Sequence, residues 1–170
     1  MVATGAVPSR GTGNRLIVGI VLAVVTFWLF AQTTLNVAPA IRSDLEISES
    51  LSNIAVSISA LFAGIFIVVA GGLADRFGRV KLTYVGLVLS ALGSLLIALS
   101  PSGTAFFLLA GRIIQGLSAA CIMPATLALL KESFDGKQRQ RAVSFWSIGS
   151  WGGSGLCALF GGLIASSVGW

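Results

Sequence analysis

Residues 82–99 read LTYVGLVLSALGSLLIAL and contain no charged side chain over 18 positions. A helix that crosses a bilayer needs about 20 mostly apolar residues, and the lower limit is about 17. The same composition extends to the whole chain, which has 170 residues, 55% of them hydrophobic and 10% charged, whereas a soluble domain has about 25% charged residues. The sequence therefore predicts an all-α integral membrane protein.

Four further apolar runs accompany residues 82–99. They predict a total of five transmembrane helices, with the other four at residues 16–38, 51–74, 105–130 and 142–167. The connections between them are short and carry turn residues or charges, such as Pro39, Pro101 and the segment 131–141. Because short connections place consecutive helices side by side and antiparallel, we expect one helical bundle over residues 16–170, preceded by a cytoplasmic tail at residues 1–15.

Basic residues in the connections predict the orientation of this bundle, since Lys and Arg are retained on the cytoplasmic side. Nine of them fall on one side: Arg10, Arg15, Arg76, Arg79, Lys81, Lys131, Lys137, Arg139 and Arg141. Arg42 falls on the other side, so the N-terminus is predicted to be cytoplasmic in a multi-pass bacterial cell membrane protein. A cleaved signal peptide ending near Ala38 is the alternative, but the apolar run is longer than a signal core and Pro39 disfavours cleavage.

Composition also argues against several other classes of protein. The net charge of +5 arises from basic clusters between apolar runs, which does not predict a nucleic-acid partner. There is no histidine, and Cys121 and Cys157 lie inside apolar runs, so we expect no metal site and no cofactor. The sequence contains no nucleophile elbow and no pair of carboxylates within a span, so nothing in it indicates an enzyme.

The most specific stretch is GGLADRFGRVKL, residues 71–82, between the second and third predicted helices. Gly78 permits a turn with positive φ, Asp75 can accept hydrogen bonds from nearby arginines, and Gly71 and Gly72 would allow close helix approach. A charged loop that only enforces topology is the alternative. The string resembles the loop signature of the major facilitator superfamily, in which the loop helps to lock the cytoplasmic gate. The resemblance implies these gating residues: Gly71, Asp75, Arg76, Gly78 and Arg79.

The fourth predicted helix contains a central Arg112. On insertion scales an arginine costs about 2.5–3.5 kcal/mol, whereas each Leu, Ile or Phe returns about 0.3–0.6, so the eleven such residues of this span still allow insertion. Arg112 shares a face with Gln115, Gly116 and Ala119, and this face is predicted to point into the bundle; snorkelling to the headgroups is the alternative. The stretch resembles a superfamily signature in which the arginine is proposed to assist proton movement.

The fifth predicted helix contains WSIGSWGGSGLCALFGG, residues 146–162, whose six glycines would permit close backbone contact with neighbouring helices. This run resembles the fifth-helix signature of antiporters in the superfamily, matched by Gly149, Gly153, Gly161 and Gly162. It departs from that signature where Cys157 and Ala158 replace Gly-Pro, which removes an expected kink.

The end of the first helix, QTTLNVA at residues 32–38, resembles a motif of the fourteen-helix drug:proton antiporters, which usually have aspartate where this chain has Gln32. A neutral amide cannot take up a proton, and none of the six acids lies within a predicted span. We hypothesise that Gln32 approaches Arg112; either an acid from further helices completes the pair, or the site prefers neutral or anionic substrates. The candidate pathway residues are Gln32, Asn36, Arg112, Gln115 and Met123.

The resemblance implies that this chain is the N-terminal part of a transporter with two six-helix bundles that rock about a central site. The implied function is proton-coupled multidrug export and antibiotic resistance. Its partners would be the lipid bilayer, a small-molecule substrate, protons and the remaining transporter helices. The alternative is a truncated or split membrane protein with no transport activity of its own.

Overall fold

Five helices make up the described part of the chain. The computed structural model describes the backbone of residues 10–168 and the side chains of residues 13–29, 37–164 and 166–167. The helices are α1 (Arg10–Leu45), α2 (Glu49–Phe77), α3 (Arg79–Ala98), α4 (Phe106–Ser133) and α5 (Gly136–Val168). Within residues 10–168 there is no strand, so the all-α prediction is confirmed.

The helices have the length and composition that a bilayer requires. Four of them, α2 to α5, have apolar stretches long enough to cross it. In α1 the described apolar segment, Gly13–Leu29, is shorter, although the backbone is helical throughout the predicted span of residues 16–38. Each predicted span thus lies on its own helix, as a multi-pass membrane fold requires.

The predicted break at Pro39 is wrong, because α1 continues through this residue to Leu45. Val37, Ile41 and Leu45 follow one another at four-residue spacing and are at most 5% exposed. They belong to one apolar cluster with residues of α2, α3 and α4. This packing keeps the segment helical past a proline that removes only one backbone donor and lies on the exposed side of the helix.

Helix ends also extend beyond the predicted spans where the sequence becomes charged. The predicted connection at residues 131–141 reduces to residues 134 and 135, because α4 ends at Ser133 and α5 begins at Gly136. Likewise α1 begins at Arg10, inside the predicted tail. Charged residues such as Lys and Glu are good helix formers, so a change from apolar to charged residues marks the edge of the bilayer rather than the end of a helix.

α4 lies at the centre of the bundle. It packs along α3 and α2 and also contacts α1 and α5, while α1 pairs mainly with α5. In the most apolar 18-residue stretch of α4, 50% of the residues are buried, whereas in that of α2 only 11% are buried. α4 is therefore largely enclosed by the other helices, and most of the surface of α2 is exposed. Glycines make this packing close: a Cβ on Gly93 of α3 would lie 2.8 Å from the carbonyl oxygen of Gly111.

Candidate functional site

Arg112 is buried at the centre of the bundle, with 2% of its surface exposed. Its Nε donates to the carbonyl oxygen of Ala55 at 2.9 Å, and its Nη2 donates to that of Val56 at 3.2 Å. The guanidinium therefore ties α4 to the backbone of α2. This burial among protein carbonyls disfavours snorkelling, which requires the charged group to reach the surface of the bundle.

The face of α4 around Arg112 is polar and small, as predicted. Gln115 is 2% exposed and Ala119 is 8% exposed, and Gly116 is also buried. A Cβ on Gly116 would overlap the carbonyl oxygen of Ser59 on α2. Glycine at this position thus lets the two backbones approach until the guanidinium reaches the α2 carbonyls.

A polar chain continues from Arg112 across α4 to α3. Arg112 Nη1 donates to Gln115 Oε1 at 2.9 Å, and Gln115 Nε2 donates to Ser94 Oγ at 3.1 Å. Ser94 Oγ in turn donates to the carbonyl oxygen of Ser90 at 2.9 Å. Both ends of the glutamine amide are therefore satisfied, which fixes its orientation. Sequence reasoning missed Ser94, because nothing in the residue pattern tells which serine of α3 faces α4.

A cavity of about 730 Å³ opens beside Arg112, between α1, α2, α4 and α5. Three of the predicted pathway residues, Arg112, Gln115 and Met123, line it together. Its other lining residues are Phe27, Trp28, Val56, Ser57, Ser59, Ala60, Ala63, Gly116, Ala119, Trp146 and Ser150. The structure thus brings the α4 candidates to one space and adds an aromatic wall that sequence reasoning did not identify.

The aromatic wall is fixed by hydrogen bonds of its indole groups. Trp28 Nε1 donates to Ser150 Oγ at 2.9 Å, which joins α1 to α5. Trp146 Nε1 donates to Thr126 Oγ1 at 3.1 Å, which joins α5 to α4. With their N–H groups satisfied by protein, both tryptophans can present apolar ring surface to the cavity. A tryptophan within an apolar span could have indicated this wall, because an indole N–H removed from water needs a polar partner on a neighbouring helix.

Gln32 and Asn36 lie in residues 30–36, outside the described side chains. Their proximity to Arg112 therefore stays a prediction. The acids are all described, and each is exposed near a helix end: Asp44, Glu46, Glu49, Asp75, Glu132 and Asp135. Among the described residues, no carboxylate lines the cavity.

The loop between α2 and α3 is a single residue, Gly78. Its φ of 102° and ψ of 129° lie where an L side chain is strained, so the predicted positive φ is confirmed. The amide of Gly78 donates to the carbonyl oxygen of Ala74 at 3.0 Å and closes α2. Gly72 is exposed and has no described atom within 4 Å of the position that a Cβ would take, and Gly71 makes only ordinary contact with Pro124. Close helix approach at these two glycines therefore stays a prediction.

Arg79 is the centre of a charge network at this end of the bundle. Its Nη2 lies 2.9 Å from Asp75 Oδ1, and its Nη1 lies 2.8 Å from Glu132 Oε2 on α4. The first contact is the predicted hydrogen bond from a nearby arginine to Asp75. Nη1 also donates to the carbonyl oxygen of Ala128 at 3.2 Å. The network joins the adjoining ends of α2 and α3 to the end of α4. Glu132 was missed because it is 53 residues away in sequence. Arg76 lies apart from the network, with its guanidinium 5.6 Å from the ring of Phe77.

The α5 glycines differ in what they contact. Gly149 and Gly153 lie against α1: a Cβ on them would be 2.8 Å from Val21 and 3.0 Å from Val25. Gly161 is buried. Gly162 has no described atom within 4 Å of its Cβ position, so its close contact stays a prediction. One half of the glycine run thus packs α5 on α1.

Comparison with known proteins agrees with this architecture. The family model described as Major Facilitator Superfamily matches residues 15–170. The chain belongs to the major facilitator superfamily. Members of this superfamily are transporters and not enzymes. The family match and the apolar helices together indicate a multi-pass bacterial membrane protein.

Three curated relatives of this chain share one name. The chain is 57% identical over 166 residues to the quinolone resistance protein NorB of Staphylococcus aureus strain MRSA252, and 58% identical to those of strains JH9 and Newman. These alignments cover 96% of this chain but 35% of each relative. The chain thus spans about a third of the length of the relatives it matches.

Proposed function

We propose that the chain contributes to a proton-coupled exporter of small molecules, and that the cavity beside Arg112 holds the substrate. The cavity carries this proposal: at about 730 Å³ it falls within the range of about 300–1,000 Å³ that drug-sized ligands occupy. Its wall combines aromatic rings with a few fixed polar groups. Because the relatives are named quinolone resistance proteins, we propose planar aromatic drugs such as quinolones as substrates.

The charge of the cavity favours neutral or anionic substrates. Arg112 supplies a buried positive charge, and it donates to neutral oxygens of Ala55, Val56 and Gln115. Hydrogen bonds to neutral oxygens do not cancel this charge, which a low-dielectric surrounding screens poorly. A monovalent cation in the cavity would be repelled unless an acid from other helices neutralised Arg112.

The cavity and the charge network share no residue, which supports separate roles for them. We assign a gating role to the loop residues, in which the network of Arg79 with Asp75 and Glu132 holds the loop while neighbouring helices move. The N-terminus would be cytoplasmic, and the remaining helices would be those of the fourteen-helix drug:proton antiporters. Protons would drive export, with Gln32, Asn36, Arg112, Gln115 and Met123 along the pathway.

Dye export from cells that express the chain in its native reading frame tests the site. An anionic and a monovalent cationic aromatic dye would be compared in wild type, Gln32→Asp, Arg112→Ala and the exposed control Arg42→Gln. We expect Arg112→Ala to reduce export of the anionic dye and Gln32→Asp to improve export of the cationic dye. Unchanged export in Arg112→Ala, with no gain in Gln32→Asp, would contradict the assignment.

The alternative of a split or truncated protein has its own measurement. The intact mass of the protein from its native membrane would be near 17.5 kDa for a chain that acts only by association or not at all. A larger mass would support a complete exporter. This result separates a failure of the substrate site from the lack of a complete pathway.

A further inference from the structure

Trp146 of α5 lies where the Arg112 cavity meets the packed interior of the bundle. It lines the cavity, and it also packs against two apolar clusters, one around Leu130 and the other around Ile122. The side chain is therefore partly buried, with packed protein on one side and the cavity on the other. Such a ring can serve as a contact surface for a bound molecule, provided that its orientation is fixed.

A buried hydroxyl of α4 fixes the rotation of this ring. Trp146 Nε1 donates to Thr126 Oγ1 at 3.1 Å, and Thr126 is fully buried. An indole N–H can only donate, so the hydroxyl has to accept, and its own proton is left for the carbonyl oxygen of Ile122 at 2.7 Å, the nearer of two backbone acceptors. Turning the ring away would leave its N–H without this acceptor, which is unfavourable in an apolar surrounding.

The two tryptophans of the cavity differ in what their rings contact. Trp28 packs edge to face against Phe27, with the ring centres 5.4 Å apart. Among the described residues, no aromatic ring packs against Trp146. Within the described part of the chain, a flat ligand could therefore stack on Trp146 without displacing a ring of the protein.

The ring of Trp146 and the charge of Arg112 belong to different ends of the cavity. Arg112 and Met123 of α4 both line it, and the 1.5 Å rise per residue puts about 16 Å between their positions along the helix axis. Thr126, which holds Trp146, lies almost one turn beyond Met123. Selection of a ligand by its charge and selection by its shape can thus be measured separately.

We infer that Trp146 is the stacking partner for the aromatic part of the substrate, and that Thr126 is the positioning residue that sets the plane of its ring. This inference rests on the proposed substrate cavity and assigns the selection of flat rings to one wall of it. Aromatic rings attract one another in offset or edge-to-face arrangements. A ring of fixed rotation therefore favours a flat aromatic ligand over a saturated ligand of the same skeleton and charge.

Ligand binding to the purified protein, expressed from its native reading frame, tests the inference. Isothermal titration calorimetry would measure the Kd of naphthalene-2-carboxylate and of decahydronaphthalene-2-carboxylate, which share a skeleton and a charge but differ in flatness. The readout is the ratio of the two Kd values. We expect Thr126→Val to lower the preference for the flat ligand about fivefold, because an aromatic pair adds roughly this factor beyond the buried area. Thr126→Ser keeps the hydroxyl and should retain the wild-type ratio.

Two further variants show whether Thr126 acts through the indole. Thr83→Val is the matched control, because the Thr83 hydroxyl also donates to the carbonyl oxygen four residues earlier, at 2.9 Å, but does not line the cavity. It should leave the ratio unchanged. In a Trp146→Phe background, Thr126→Val should not change the ratio further, because the N–H that the hydroxyl holds is already absent.

A purely structural role of Thr126 gives a different result. Thr126→Val would then weaken both ligands alike and leave the ratio unchanged, which would overturn the inference. The same conclusion would follow if Thr126→Ser failed to keep the ratio, or if Thr126→Val lowered it equally with and without the indole.

Arg112→Ala reports on the proposed function separately. It should weaken both ligands by the same factor, because both carry one negative charge. If it weakens neither while Thr126→Val lowers the ratio, the charge assignment fails and the role of Trp146 is supported. If it weakens both while Thr126→Val leaves the ratio unchanged, the cavity is supported and the role of Trp146 is overturned. Failure of the wild-type protein to bind either ligand would overturn both.

Discussion

Replacing Gly116 by alanine tests how closely α2 and α4 must approach to hold Arg112. A Cβ at this position overlaps the carbonyl oxygen of Ser59 and lies 3.0 Å from the Phe62 Cβ. The first of these neighbours is backbone, which cannot turn aside as a side chain could. We expect the two helices to separate, which lengthens the bonds of 2.9 and 3.2 Å from Arg112 to α2.

The size of the effect follows from three contributions. Overpacking of a close contact costs about 1–3 kcal/mol, and a weakened hydrogen bond from a charged donor costs about 1.5–3 kcal/mol. Alanine in place of glycine favours the helix by about 1 kcal/mol, which offsets part of this. The expected net loss is about 2–4 kcal/mol in the free energy of unfolding. Gly64→Ala is the matched control, because Gly64 has no described atom within 4 Å of its Cβ position and should lose nothing.

The assay is equilibrium unfolding in maltoside micelles by a rising fraction of dodecyl sulfate, followed by tryptophan fluorescence. Gly116→Ala should unfold at a lower dodecyl sulfate fraction than Gly64→Ala. In an Arg112→Met background the cost of Gly116→Ala should shrink, because the bonds to α2 are already absent. Equal midpoints for the two alanine variants would refute the close-approach argument. An unchanged cost in the Arg112→Met background would refute the link to Arg112.

The same unfolding assay checks three further predictions. Gly78→Ala should cost about 1–3 kcal/mol through backbone strain alone, since its φ is 102° and no described atom lies near its Cβ position; a midpoint equal to that of wild type would contradict this. Ser90→Ala should be neutral or stabilising by up to about 1 kcal/mol, because the buried Ser90 hydroxyl has no partner among the described residues. Ser118→Ala should instead cost about 1 kcal/mol, because it loses a 2.7 Å hydrogen bond to the carbonyl oxygen of Gly86. Arg79→Gln should cost about 1–2 kcal/mol, and the difference from wild type should shrink in 1 M salt, because its ion pairs are partly exposed; a loss independent of salt would point to packing.

Much of the fold could be predicted because membrane insertion depends on composition along the chain. A run such as residues 82–99 has only one stable arrangement in lipid, which is a helix. Helix ends were less predictable: Pro39 stands at the limit of the apolar run, but α1 passes through it because Ile41 and Leu45 pack on neighbouring helices. Local residue types cannot report such packing.

The candidate site divides in the same way. The burial of Arg112 and Gln115 was predictable, since a charge and an amide in a span must face protein. Their partners were not, because Ala55 and Val56 contribute backbone oxygens that every residue has. The aromatic wall of Trp28 also depends on how α1 and α5 are brought together.

Three features follow from residue types and their order along the chain: that it spans a membrane, which residues are too polar to face lipid, and that Gly78 provides a positive φ. These are properties of single residues or of continuous runs, and the free energy of transfer to lipid or of a backbone angle decides them. The bonds of Arg112 to the backbone of α2 and the contact of Glu132 with Arg79 are visible only in the folded bundle. Each of these depends on the distance between helices far apart in sequence, and that distance is fixed by packing over the whole bundle.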